Sequence, residues 1–405
     1  MDFEIDGARL LSELETLATF SDSAAPAITR IVYSETDRKA RAWLKDLCSQ
    51  SGLAVREDAI GNLFARWHGT DPDAAAVGTG SHIDAIPNAG KYDGTVGVLG
   101  ALAAIRALRA AQFTPRKSIE LLVFISEEPT RFGIGCLGSR LLSGTLSGAA
   151  AKRLTDRAGK PLEDFGDPEN LALPTNYYAS FIELHIEQGP ILEKTGAALG
   201  IVTGIAAPAA LRVLIDGEGG HAGAVLMPDR RDALLGAAEI ALAVEAAARA
   251  TGAIDTVATT GVCEVSPGAV NSIPSHVKLE IDIRDTDLAR RDAVVKAVIQ
   301  ACETTAAQRK LQVKTEILNA DAPAACDPQL IEVLTEACRA ERKGFQRMVS
   351  RAYHDSLFMS RIAPTAMLFT PCRGGVSHRP DEYASAEDIV TGARTLARAL
   401  AKLAA

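Results

Sequence analysis

A glycine-rich stretch, GSHIDAIPNAGKYDGTVGVLG at residues 80–100, joins a predicted buried strand to a predicted apolar helix. The strand ends near His82, and the helix begins after Asp93 and Gly94. A segment that only had to turn would need fewer polar groups than this one carries. Imidazole and carboxylate are ligands that suit zinc, manganese or cobalt. The stretch therefore predicts half of a metal site, whose other half lies further along the chain.

The sequence around this stretch alternates between strand and helix patterns. Residues 1–55 are predicted to be helical, Val77–Ser81 to form a short strand, and GVLGALAAIRALRAA to form a buried helix. The apolar run SIELLVFIS ends at Glu127-Glu128 and is typical of a strand covered on both faces. This alternation predicts an α/β domain with a mainly parallel sheet and helices on both faces. Ligands in such sheets gather at the carboxyl ends of the strands.

A second type of pattern begins near residue 208. Alternating strands and two long helices predict an α+β unit in which two helices pack on an antiparallel sheet. After Pro323 the apolar α/β pattern returns. We therefore predict one domain formed by residues 1–207 and 324–405, with a second domain inserted at residues 208–323.

The composition of the chain excludes several classes of protein. The chain has 405 residues and a net charge of −8, which argues against a nucleic-acid binder and gives no attraction to an anionic membrane. Its first residues lack the basic segment of a signal peptide, and its apolar runs are too short to span a bilayer. Seven scattered cysteines without a CxxC pair predict reduced, mostly buried thiols in a cytoplasmic protein.

A group of imidazoles and carboxylates has the composition of a two-metal hydrolytic site; its members are His82, Asp93, Glu128, His185 and His378. Asp93 could bridge two ions about 3.5–4 Å apart. Asp84 could accept the other ring N–H of His82. Glu127, beside Glu128, could act as general base towards a water. Each piece alone has a plainer interpretation: a structural histidine, a simple Asp-Gly turn, or a solvated pair of glutamates.

Another group lies in the predicted insertion. Arg284 could grip a substrate carboxylate, or could simply pair with Asp282 or Asp285. Asn271 could hydrogen-bond a substrate carbonyl, or could cap a turn. His221, flanked by glycines, could stabilise an oxyanion.

Tyr353 and His354 precede Asp355, which is a candidate helix N-cap. The tyrosine and histidine therefore have two interpretations, either as structural residues or as part of the pocket lining.

Seven motifs occur in an order that resembles the dinuclear amidohydrolases of the peptidase M20 group. They are GSHIDAIPNAGKYDG, SEEPTRFG, ELHIEQGPILE, GGHAGAVLMPDRRDA, PGAVNSIP, DIRD and SHRPDEY. The resemblance is narrower to the branch of allantoate amidohydrolases, N-carbamoyl-L-amino-acid hydrolases and ureidoglycolate amidohydrolases. Within that branch, SRAYHDSLFMSRIAP and GGHAGAVLMP are most similar to the ureidoglycolate group.

The resemblance implies a role for each candidate residue. One ion would be held by His82, Asp93 and His185, and the other by Asp93, Glu128 and His378. Glu127 would be the base, and the substrate would contact Gln188, His221, Asn271, Arg284, Tyr353 and His354. The metals would be manganese, with zinc or cobalt as alternatives. The resemblance also implies a homodimer joined through residues 208–323, the inserted lid and dimerisation domain, with His221 reaching the partner's site.

The activity implied is hydrolysis of a linear ureido C–N bond, with (S)-ureidoglycolate as the expected substrate in purine catabolism. A carbamoylase or allantoate enzyme would use the same chemistry. A catalytically silent metal-binding homologue is another alternative, although every expected ligand and Glu127 are present. A dipeptidase of the wider group is disfavoured by His185, where aminopeptidase-like relatives usually carry a carboxylate.

Overall fold

The computed structural model describes residues 3–405 and divides them into two compact units. Among the described residues, the first unit comprises 3–203, Ala325–Ser350 and His354–Ala405, and the second comprises Gly204–Ala324 with Arg351–Tyr353. The division lies a few residues from the predicted boundaries at 208 and 323. It also places the short segment Arg351–Tyr353 with the second unit, although this segment is distant from the insertion in sequence.

The elements follow one another along the chain in the following order. The strands are β1 Ile28–Arg30, β2 Ala54–Glu57, β3 Leu63–Trp67, β4 Ala76–His82, β5 Ala85–Ala89, β6 Ile119–Phe124, β7 Tyr178–Ile186, β8 Leu199–Ile205, β9 Ala207–Asp216, β10 Gly220–His221, β11 Val257–Ser266, β12 Ser272–Ile273, β13 His276–Asp285, β14 Gln312–Ala320, β15 Ala324–Ala325, β16 Phe345–Ser350 and β17 Thr365–Thr370. The α-helices are α1 Gly7–Ala18, α2 Glu35–Gln50, α3 Thr95–Ala110, α4 Leu137–Leu142, α5 Gly148–Ala151, α6 Ile191–Thr195, α7 Ala233–Ala250, α8 Leu288–Arg309, α9 Pro328–Ala340, α10 Ser356–Met359 and α11 Ala386–Ala404.

A nine-stranded mixed sheet forms the centre of the first unit. Its order is β15-β8-β17-β7-β4-β6-β3-β2, and β16 pairs with β8. The four central strands β17, β7, β4 and β6 run parallel, whereas β3, β2 and β8 pair antiparallel on either side of them. Helices α3 and α11 pack on each other and on the central strands, and α10 contacts β7 and β17. The predicted parallel sheet is therefore the central part of a wider mixed sheet.

The second unit is built on a four-stranded antiparallel sheet of order β11-β13-β9-β14. Alternate residues of β9 and β13 are buried, because one face of the sheet packs against helices α7 and α8. The buried cluster includes Leu211, Val213, Ile240, Ile281 and Val298. This is the predicted arrangement of two helices on an antiparallel sheet.

Several short elements differ from the sequence-based prediction. Residues 1–55 are not helical throughout, because β1 lies between α1 and α2 and β2 begins at Ala54. The glycine-rich stretch itself contains β5, which pairs with β1. Strands this short give too few alternating positions to be recognised from hydrophobic periodicity.

The seven cysteines are all free, and Cys263 alone among them is exposed. Within residues 3–405, the helices are all too short or too polar to cross a membrane.

Candidate metal centre

The predicted metal ligands all lie in the first unit, at the carboxyl ends of its parallel strands. His82 ends β4, and Glu128 follows β6 after a short turn. His185 is near the end of β7, Asp93 precedes α3, and His378 follows β17. Because parallel strands end at one edge of the sheet, residues far apart in sequence meet there.

Asp93 divides its two carboxylate oxygens between two groups of imidazoles. Its Oδ1 lies 3.2 Å from Nε2 of His185 and 3.6 Å from Nε2 of His82. Its Oδ2 lies 3.0 Å from Nε2 of His378, which in turn is 3.4 Å from Oε1 of Glu128. In each of the two groups, His82–Asp93–His185 and Asp93–Glu128–His378, the ligand atoms lie within 4.8 Å of one another.

The spacing of these atoms fits divalent ions. Ligands bound tetrahedrally at 2.0–2.2 Å from an ion lie about 3.3–3.6 Å from one another. The separations of 3.0–3.6 Å around Asp93 are close to this range. A carboxylate with one oxygen in each group is the arrangement that a bridging ligand requires.

The rings of His82 and His185 are oriented as metal-binding imidazoles commonly are. Nδ1 of His82 lies 3.1 Å from the backbone carbonyl oxygen of Asp84, and Nδ1 of His185 lies 2.8 Å from that of Ile186. A proton on each Nδ1 donates to the carbonyl, and Nε2 is then the ring atom that faces Asp93 and that would bind an ion. Gly94 permits this approach, since its φ is +67° and a Cβ there would lie 2.5 Å from His82 Nε2.

The electrostatics of the site favour positive charge. Burial would raise the pKa of Asp93, but hydrogen bonds to His185, His378 and His82 outweigh burial and hold this pKa well below its usual range. Burial and the charge of Asp93 raise the pKa of Glu128 to about 7. The hydrogen bond to Asp93 raises the pKa of His378 to about 9. The cluster thus retains protons that a bound cation would replace.

Glu127 differs from its neighbour Glu128 because it belongs to neither group. Its Oε2 lies 3.9 Å from Nε2 of His82, and its Oε1 accepts a hydrogen bond from the thiol of Cys136 at 3.4 Å. Burial, only partly offset by the charge of His82, raises the pKa of Glu127 well above its usual range. A carboxylate with a raised pKa beside a metal site is suited to accept a proton.

Asp84 contacts both the imidazole and the turn that carries the two glutamates. Its Oδ1 lies 3.6 Å from Nδ1 of His82, further than its own carbonyl oxygen. The same carboxylate accepts the backbone N–H groups of Glu127 and Glu128 at 3.1 and 3.0 Å. Asp84 therefore lies beside His82, as predicted, and also fixes the turn that carries the two glutamates.

Gln188 and His354 also lie beside the centre. Gln188 donates from Nε2 to Asp93 Oδ2 at 2.9 Å. The ring of His354 packs edge-on against that of His185, with centroids 4.6 Å apart, and its Nε2 lies 3.0 Å from Ser350 Oγ. His354 is buried and thereby supports the ring of His185.

Asp355 lies where the sequence predicts a helix N-cap. Asp355 stands at the N-cap position of α10, but its side chain makes no capping hydrogen bond. Its Oδ1 instead accepts a hydrogen bond from Ser139 at 2.5 Å, because the residue is fully buried against α4.

The remaining predicted substrate residues belong to the second unit. Arg284 forms a two-pronged ion pair with Asp282, with distances of 2.7 Å from Nε and 3.2 Å from a terminal nitrogen. The backbone carbonyl of Asn271 accepts a hydrogen bond from the backbone N–H of Ala222, and His221 is exposed on β10.

Tyr353, also in this unit, donates its hydroxyl hydrogen to Asp321 at 2.9 Å.

Sequence analysis missed residues that hold the ligands in place. The carboxylate of Glu382 accepts the backbone N–H groups of Tyr92 and Asp93 and the hydroxyl of Ser377. Glu382 lies within the motif SHRPDEY, four residues after His378. A buried acid so close to a candidate ligand was the available signal, but the two backbone N–H groups that it accepts lie 290 and 289 positions away.

The fold and this cluster together define a class of metal-dependent hydrolases, and comparison with known proteins identifies it. A sequence profile described as Peptidase family M20/M25/M40 matches residues 78–402. The chain belongs to this family.

Among individual relatives, ureidoglycolate hydrolase of Arabidopsis thaliana is 49% identical, covering 98% of this chain and 87% of the relative. N-carbamoyl-L-amino acid amidohydrolase of Geobacillus stearothermophilus is 36% identical over 99% of both chains. The crystal structure of AtUAH in complex with glyoxylate superposes with a TM-score of 0.93 at 48% identity, covering 100% of this chain and 99% of the other. The predicted M20 resemblance is confirmed.

Proposed function

We propose that this protein hydrolyses the ureido C–N bond of (S)-ureidoglycolate. The observation that carries the proposal is the identity of 49–50% to ureidoglycolate hydrolases over nearly the whole chain, against 31–36% to allantoate and N-carbamoyl relatives. AtUAH, a similar protein, has been crystallised with glyoxylate and with (S)-hydroxyglycine. Ureidoglycolate and one water would yield hydroxyglycine, ammonia and carbon dioxide, and hydroxyglycine would then lose ammonia to give glyoxylate.

Two divalent ions, with manganese preferred over zinc or cobalt, would occupy the centre. His82, Asp93 and His185 would hold one ion, and Asp93, Glu128 and His378 the other. Bound divalent ions would lower the pKa of a coordinated water, to roughly 7 in the case of zinc, and would polarise a carbonyl oxygen. The spacing of the imidazole and carboxylate atoms around Asp93 supports this assignment.

Glu127 would move the proton in this reaction. It would take a proton from the attacking water and deliver it to the nitrogen that leaves when the C–N bond breaks. Its raised pKa favours the protonated state that the second transfer requires. The thiol of Cys136, in contact with Oε1, leaves Oε2 directed towards His82.

The substrate contacts are proposed from side-chain chemistry. Arg284 would bind the substrate carboxylate, Asn271 its carbonyl-bearing portion, and His221 the oxyanion of the transition state. Gln188 and Tyr353 would complete the contacts.

His354 would act through the ring of His185, because it packs against that ring.

Substrate comparison tests the proposal directly. Protein reconstituted with Mn²⁺ should release ammonia from (S)-ureidoglycolate with a higher kcat/KM than from allantoate or from N-carbamoyl amino acids. Ammonia release from N-carbamoyl amino acids alone would reject the proposed substrate but retain the proposed chemistry.

Arg284→Gln is expected to raise KM for ureidoglycolate about ten- to hundredfold, because a charge-assisted hydrogen bond contributes roughly 1.5–3 kcal/mol. Metal content should not change. Arg212→Gln is the matched control, since Arg212 also forms an ion pair with an acid of the same sheet, Glu280. Steady-state kinetics would contradict the role of Arg284 if both variants kept the parent KM.

We also propose that the protein is a homodimer joined through residues 208–323. Exposed apolar side chains in this unit, including Leu226, Met227 and Val270, support the proposal. Light scattering of the purified protein should give twice the mass of one chain, and the mass of a single chain would contradict the proposal. The cytoplasmic location remains a prediction from cysteine usage.

A further inference from the structure

Glu382 is a buried carboxylate that lies outside both groups of candidate metal ligands. Its side chain is not expected to touch substrate or metal, yet each of its oxygens is committed to a hydrogen bond. Oε1 accepts the backbone N–H groups of Tyr92 and Asp93 at 2.8 and 3.1 Å, and Oε2 accepts the hydroxyl of Ser377 at 2.7 Å. Such a complete set of partners fixes the carboxylate in one orientation.

These three hydrogen bonds join two loops that carry metal ligands. One loop contains Asp93, whose oxygens face both groups of imidazoles, and the other contains Ser377 followed directly by His378. The loops are connected a second time by Gln188, whose Nε2 donates to Asp93 Oδ2 and to Ser377 Oγ. The hydrogen bonds of Glu382 therefore act on the Asp93–Glu128–His378 group more than on the other group.

The close fit around Glu382 includes a residue without a side chain. A Cβ on Gly90 would lie 2.3 Å from Cβ of Glu382 and 2.5 Å from its Oε1. Only glycine at position 90 lets the Asp93 loop approach the acid closely enough for the backbone hydrogen bonds. The Asp93 loop therefore packs closely against Glu382 in addition to donating hydrogen bonds to its carboxylate.

The backbone conformation at His378 shows why such support is needed. His378 has a φ of +59°, in the left-handed region that residues other than glycine seldom adopt. Its side chain is also 47% exposed, so packing alone does not hold the ring. A conformation of this kind persists only where surrounding contacts impose it.

We infer that Glu382 is a positioning residue that fixes Asp93 and His378 relative to each other. It thereby sets the affinity of the second metal ion, which is the ion that Asp93, Glu128 and His378 would hold. The inference rests on the dinuclear centre proposed above. The role is geometric: the acid fixes the separation of two loops, and neither a proton transfer nor a metal bond is assigned to it. Partners behind metal ligands commonly change metal affinity or activity 10- to 100-fold when removed.

Titration of the full-length, metal-free protein with Mn²⁺ tests this inference. Glu382→Ala should bind the first ion nearly as the parent does but bind the second about ten- to hundredfold more weakly. Glu382→Gln should retain most of the affinity, because its amide oxygen can accept the two backbone N–H groups and its NH₂ can donate to Ser377. Asp381→Ala, which removes an exposed neighbouring carboxylate paired with Arg379, should match the parent.

Calorimetry and metal analysis distinguish the outcomes. Two ions bound to Glu382→Ala with parent affinities would overturn the inference, as would a Glu382→Gln variant as weak as Glu382→Ala. If Glu382→Ala fails to fold, Ser377→Ala removes one of the three hydrogen bonds and should show a smaller loss for the second ion only. A parent protein that binds no Mn²⁺ would instead reject the proposed centre, and the inference with it.

Discussion

Glu127→Gln is expected to lower kcat at least about a hundredfold while both metal ions remain bound, because general acid–base catalysis contributes typically 10²–10⁴-fold. Glutamine preserves the shape of the side chain and an oxygen able to accept from Cys136, but it cannot take a proton from water. The substitution leaves the Asp93–Glu128–His378 group intact, since Glu127 belongs to neither ligand group. Initial rates and metal content, measured on the same preparation, show whether activity is lost while the metal is retained.

The neighbouring acid provides the contrast for this experiment. Glu128→Gln should lose the second ion, because Glu128 belongs to the Asp93–Glu128–His378 group and its Oε1 lies 3.4 Å from His378 Nε2. Glu127 belongs to neither group. The two variants therefore separate proton transfer from metal binding at adjacent positions. Near-normal turnover by Glu127→Gln would remove the residue from its proposed role.

Asp93→Asn should reduce the metal content from two ions to fewer than one per chain. It should also lower activity more than about a hundredfold, because removing a residue that only hydrogen-bonds to a metal ligand already costs up to about that much. The carboxylate faces all three imidazoles, and its pKa is held well below the usual range by hydrogen bonds that outweigh burial. A neutral amide with one oxygen cannot take part in both groups. The thermal stabilisation that metal gives the parent, about 2.7 kcal/mol at one hundred times Kd, should disappear as well.

His378→Ala is the comparison for this variant, because His378 contacts only one of the two groups. It should lose one ion and keep the other. Metal analysis that found two ions in Asp93→Asn would contradict the bridging role, and equal losses in the two variants would contradict the division of the Asp93 oxygens between two sites.

The candidate metal ligands could be predicted from the sequence because their chemistry and local position are both visible in the chain. His82 and Glu128 stand at the ends of short apolar runs that predict buried strands, and strand ends are where α/β sheets bind ligands. Arg284 shows the opposite situation. Its sequence context allowed a partner in Asp282 or a substrate carboxylate, and the structure places it in an ion pair with Asp282.

The contacts of Asp84 and Glu382 could not be predicted in the same way. Asp84 was expected to contact His82 alone, yet its carboxylate also holds the turn at Glu127 and Glu128 through backbone N–H groups. Backbone donors carry no sequence signature, so an acid that binds them looks like any other acid. The short strand β5 was missed for a related reason, since five residues give too little periodicity.

By itself, the sequence determined the α/β alternation, the inserted α+β unit and the set of imidazoles and carboxylates able to bind metal. These properties depend on hydrophobic periodicity and on ligand chemistry, which are local. Only the tertiary structure decided which Asp93 oxygen faces which imidazole, and which acid holds the loops of Asp93 and His378 together. Those contacts join residues up to 290 positions apart, and their geometry exists only once the packed sheet brings the strand ends to one edge.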